Sequence, residues 1–64
     1  MFFVEVTFEE VKRLSLGVQF LRYDSIARRF TVRSCSGSLR AVFDAGDQFR
    51  YFLFPKEFLN GELE

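Results

Sequence analysis

Sixty-four residues make one domain at most, and a chain that is 48% apolar, with ten phenylalanines, has the composition of a folded domain rather than a disordered one. Nine basic and nine acidic residues give a formal charge of zero, which argues against coating nucleic acid by charge alone. The absence of histidine removes the usual general base near neutral pH and the commonest metal ligand, and the single cysteine, Cys35, has no intrachain disulfide partner.

The first element, FFVEVTF, alternates. Phe2, Val4, Val6 and Phe8 share one side and Glu5 and Thr7 the other, the pattern of a strand over residues 2–8. A helix over about 8–16 follows. Thr7 and Glu10 have capping-box spacing, Lys12 and Arg13 come after the acids as the helix dipole prefers, and Gly17 can supply a left-handed cap. GVQFLRYD reads as a strand over about 18–23. It has two competing apolar sets, Val18 and Phe20 against Leu21 and Tyr23. DSIA is its turn.

RRFTVRS then predicts a strand over 28–34 with Phe30 and Val32 inward and Arg29, Thr31 and Arg33 outward. SCSGS reads as a turn. LRAVFD predicts a strand over 39–44 with Leu39, Ala41 and Phe43 inward. DAGD is a further turn, and QFRYFLF the last strand, 48–54. Pro55 ends it and opens a helical turn over 55–59 that Asn60 and Gly61 stop. The order, β-α-β-β-β-β-turn, predicts a single α+β domain, mostly β. Its short loops predict a five-stranded antiparallel meander, either curled into a small SH3-like or OB-like barrel or packed on the one short helix. So small a chain needs nearly every phenylalanine in its core.

Charge is unevenly spread. Residues 1–10 carry −3 (Glu5, Glu9, Glu10), residues 11–40 carry +6 (Lys12 and six arginines against Asp24), and residues 41–64 carry −3 (five acids against Arg50 and Lys56). The stretch RRFTVRSCSGSLR holds four arginines and no acid. In a meander, pairing Phe30 with Phe43 and Phe43 with Phe49 sets Arg33 opposite Arg40 and Arg40 opposite Phe52. Arg33, Arg40, Arg50 and Phe52 then share an outward face with Phe54 further along, the candidate binding face. Arginine beside an exposed aromatic grips a phosphate and stacks on a base, or anchors a protein interface. Equally, arginine stems cover apolar sheet surface while their heads stay in water.

The last strand is apolar on both sides: Phe49, Tyr51 and Leu53 on one, Phe52 and Phe54 on the other. A half-exposed antiparallel strand alternates more cleanly, so something should cover the second side: the chain's own helix, the PKEFL turn, a second copy or a partner. Catalytic chemistry is weak throughout. Asp44 and Asp47 flank a turn without the rest of a calcium loop, and SCSGS lacks the lysine and spacing of a phosphate loop. No catalytic residue, cofactor, metal or small-molecule substrate is expected.

The leading expectation is a non-catalytic protein-interaction module, a small regulator or inhibitor acting through its sheet surface, with a protein partner or a homodimer. A single-stranded RNA or DNA binder and a structural subunit of a larger assembly are the alternatives. The chain has no run of about 18 apolar residues, its first ten residues lack the basic start of a secretory signal, and it has no disulfide pair, so a cytoplasmic protein without membrane contact is expected.

Overall fold

The computed structural model describes residues 2–43 and 46–55. In chain order the elements are β1 (Val4–Val6), α1 (Phe8–Lys12), β2 (Gln19–Asp24), β3 (Arg29–Ser34), α2 (Gly37–Arg40), a 3-10 turn (Gly46–Gln48) and β4 (Phe49–Leu53). The four strands form one antiparallel sheet in the order β1-β4-β2-β3, with both helices short. The sheet is open, with β1 and β3 as its edges, so the domain is mostly β but not a barrel. Among the described residues no helix is long and apolar enough to cross a membrane.

Local chemistry sets the elements where the sequence places strong signals. The Thr7 side chain accepts from the Glu10 N–H at 3.2 Å and the Glu10 carboxylate accepts from the Thr7 N–H at 2.8 Å, the capping box that starts α1. The helix turns Phe8 and Val11 inward. It stops at Lys12, four residues short of the expected end, and side chains from elsewhere in the chain meet the carbonyls at and just beyond that end. Arg40 donates from Nε to the Lys12 carbonyl at 3.1 Å and from Nη2 to the Leu14 carbonyl at 2.6 Å. The buried Cys35 thiol lies 3.6 Å from the Val11 carbonyl and 3.4 Å from that of Leu14. A cation at the C-terminal end of a helix is favourable with the dipole as well as with the orphan carbonyls. Gly17 takes the positive φ of 88° expected of it, in the turn that feeds β2 rather than as the cap of α1.

The β2–β3 hairpin turns through Asp24–Arg29. Asp24 Oδ1 accepts the N–H groups of Ile26 (2.9 Å) and Ala27 (3.1 Å), and Arg28 takes the left-handed conformation at φ 60°. Hydrogen bonding to these two N–H groups, Ala27 first, holds the Asp24 carboxyl below the usual carboxylate range.

Several expectations are corrected. Of the strand expected over 39–44, the described residues 39–43 are not in a strand. Ser36 instead caps α2 by accepting the Leu39 N–H at 3.2 Å, so residues 37–40 are helical, and Ala41 follows as the helix cap. The meander is replaced by a sheet in which β4 lies between β1 and β2, with β3 paired only to β2. The third correction concerns which face is inside. Residues paired across strands share a side, and the rows Val4–Leu53–Phe20–Arg33 and Val6–Tyr51–Arg22–Thr31 lie under α1. The core is Phe8, Val11, Phe20 and Tyr51, with Val6, Leu14, Leu39, Phe49 and Leu53 packed around it. Arg29, Thr31 and Arg33 are therefore on the covered side, and Phe30 and Val32 on the other, 58% and 54% exposed. Most phenylalanines are not in the core: Phe8 and Phe20 are buried, whereas Phe2, Phe3, Phe30 and Phe43 are exposed. The expected helical turn over 55–59 lies, but for Pro55, outside the described residues.

Candidate functional site

The uncovered face of the sheet is built by the residues that alternate with the core. One row runs across all four strands, Glu5–Phe52–Leu21–Val32. The next is Arg50–Tyr23–Phe30 across β4, β2 and β3. Side chains of opposed residues lie close together on one face, so the register alone brings these aromatics together. The Tyr23 and Phe30 ring centroids are 4.8 Å apart at 48°, and Phe30 and Phe52 are 6.2 Å apart at 57°, tilted geometries in which ring edges meet ring faces. Beyond the ends of the strands, Phe3 and Phe54 meet at 5.5 Å. Phe3, Leu21, Phe30 and Phe52 line a shallow depression of about 350 Å³ with an entirely apolar lining.

One ion pair borders this surface. Arg50 donates from Nε and Nη2 to the two carboxylate oxygens of Glu5, at 2.9 and 2.8 Å, a bidentate fork across the β1–β4 pair. The Arg50 guanidinium also sits 5.4 Å from the Phe52 ring centroid. The hydrogen bond to Arg50 holds the Glu5 carboxyl below its ordinary value, and the same bond raises Arg50. Both side chains are about half exposed, so the pair fixes geometry more than it adds stability.

The five residues expected to form one binding face are not brought together. Arg50 and Phe52 share the open face, and Phe54 adjoins it through Phe3. Arg33 is opposite Phe20 on the covered side. Arg40 belongs to α2 and closes the end of α1. Arg29 is opposite Asp24. The sequence pattern placed Phe30 and Val32 inward and left Leu21 and Tyr23 undecided, whereas all four lie on the open face. The signal for them was the second apolar set of FLRY, which matches the second side of the last strand. Among the described residues no three histidine, cysteine, aspartate or glutamate side chains gather as a metal site.

No protein-family model matches the chain, and comparisons with curated proteins and with solved structures give no significant match.

Proposed function

We propose that this chain is a non-catalytic protein-interaction module that presents the open face of its sheet to another polypeptide, acting as a small regulator or inhibitor. The observation that carries the reading is the row Phe52–Leu21–Val32 with Tyr23 and Phe30 beside it: a contiguous apolar surface on the side of the sheet opposite α1. A sheet is stable in water when both faces are packed or when one is polar, and this face is neither. Four strands ~4.8 Å apart and about six residues of ~3.3 Å each give a footprint on the order of 400 Å². That is within the range of functional patches and about half of what one partner contributes to a standard interface, so the association is weak and reversible. Aromatic anchors beside an arginine have the composition of interface hot spots.

The nucleic-acid reading has less to stand on. The open face offers Arg50, and Glu5 already occupies its fork, so a phosphate would compete with a carboxylate for the same donors.

The test pairs Phe30→Asp with Val32→Lys, both exposed in the isolated chain. We expect wild-type protein to self-associate at micromolar concentration in sedimentation equilibrium, or to retain one defined protein from an extract of its source cells. The double variant should lose that association while keeping its far-UV circular dichroism. A monomer that retains the same proteins with and without the substitutions would sink the reading.

A further inference from the structure

On the covered side of the sheet, away from the proposed interaction surface, a second feature uses arginines that the fold does not explain. Arg22 and Arg33 are diagonal neighbours there, one opposite Thr31 and the other opposite Phe20. Both line a cavity of about 130 Å³ between the sheet and the segment that follows α2, with Phe20, Phe49, Tyr51 and the 90% exposed Phe43 among its walls. No carboxylate of the described residues lines it.

The ion pairs among the described residues are Lys12 with Glu9 and Arg50 with Glu5, so neither cavity arginine is bridged. Asp24 acts on Arg22 from one row away, but its Oδ1 is engaged by the Ile26 and Ala27 N–H groups. At the rim the Lys12 Nζ, itself paired with Glu9, donates to the Val42 carbonyl at 3.1 Å.

Arg22 is held in an unusual way. Its guanidinium carbon lies 4.3 Å from the Phe49 ring centroid, and its Nε is shut off from water with no hydrogen-bond partner. Nε is a donor only, and a desolvated donor left unmade is unfavourable, more so on a cation. A structural arginine of this kind is ordinarily matched by a carboxylate or a carbonyl, as Arg50 and Arg40 are here. The cavity therefore carries two arginines that no carboxylate of the described residues bridges, with aromatic walls and a mouth that Arg33 and Phe43 leave open to solvent. An oxyanion placed against the two guanidinium groups would supply the missing charge through charge-assisted bonds.

We propose that this cavity binds the oxyanion head, carboxylate or phosphate, of a small aromatic ligand. The two arginines hold the head and the phenylalanine rings pack the body. The site is independent of the open face, so either can fail without the other.

The probes are sodium benzoate, phenyl phosphate and benzamide, titrated into ¹⁵N-labelled protein and followed by the amide shifts of Arg22, Arg33 and Phe43. We expect saturable shifts with benzoate or phenyl phosphate, the tighter of the two naming the head group. Benzamide keeps the ring and removes the charge, and it should bind at least about tenfold more weakly. Arg33→Gln should weaken the anion by about tenfold or more. Arg22→Lys keeps the charge but not the fork, and should do the same in a variant less prone to unfold. The proposal is overturned if neither anion saturates at millimolar concentration, if benzamide matches benzoate, or if both folded variants bind as the wild type does.

Discussion

The two faces of this sheet are made from the same strands and nearly the same residue types, yet they behave as different materials. On the covered face, Phe20 is fully buried and touches Tyr51, whose ring stacks on Phe8 of α1 at 5.0 Å. On the open face, Phe30 meets Tyr23 and Phe52 but remains more than half exposed. Arginines invert the usual pattern as well: Arg22 and the solvent-exposed Arg33 lie on the side of the helices, and Phe30 and Val32 on the other, more than half exposed. Hydrophobicity along a strand does not by itself choose the core. The five-residue helix and the α2 segment choose it, by landing on one side.

A pair of truncations separates the two faces most strongly. Phe20→Ala should cost about 3–5 kcal/mol, through lost burial and the cavity left behind, and leave the chain largely unfolded. Phe30→Ala should change stability by less than about 1 kcal/mol while weakening self-association or partner binding. Urea denaturation of the two variants checks this, and equal losses would mean that the open face is core after all.

A smaller effect is expected from the cover itself. Thr7→Ala removes one half of the capping box and should destabilise the domain by about 1 kcal/mol. Because α1 packs only on the covered side, the open-face association measured on the folded fraction should not change. A comparable loss of association would show that the two faces are coupled.

The smallest effect distinguishes the faces by pH. Asp24, in the β2–β3 turn, and Glu5, on the open face, both have folded-state pKa values below their ordinary ones, through bonds to backbone N–H groups and to Arg50 respectively. A depressed carboxyl contributes its stability fully above the unfolded value and loses it as pH falls through the folded one. Stability should therefore decline on acidification from about pH 4 downward. Asp24→Asn and Glu5→Gln should each flatten part of that decline in thermal melts recorded across the acid range, by a small amount, since both groups are solvent-exposed.

Much of this was legible before the fold. Alternation in VEV and RFTVRS marks strands because side chains in a pleated chain switch sides every residue, and the aromatic run FRYFL marks another through its strand propensity. The Thr7–Glu10 box and the positive φ of Gly17 depend on atoms a few residues apart, and both are found. The doubly apolar last strand also pointed to a surface in need of cover. The candidate face failed for a reason of the same kind in reverse. It rested on a strand at residues 39–44 that the Ser36 cap turns into a helix. Once Arg40 leaves the sheet, the line from Arg33 to Phe52 no longer exists. The serine in SCSGS reads equally as a turn and as a helix start, and only Leu39 and Arg40, packing on the core and on the end of α1, decide between them.

Four of the five expected strands, the start of the first helix and the two apolar sides were readable from the residues alone, because these follow from rotamer sterics, backbone hydrogen bonding and side-chain alternation over a few residues. Only the tertiary structure decided that β4 sits between β1 and β2, that Arg40 closes a helix, and that Phe30 and Val32 face outward. Those outcomes depend on contacts between distant parts of the chain, and an alternating strand presents two faces without stating which one the helices will cover.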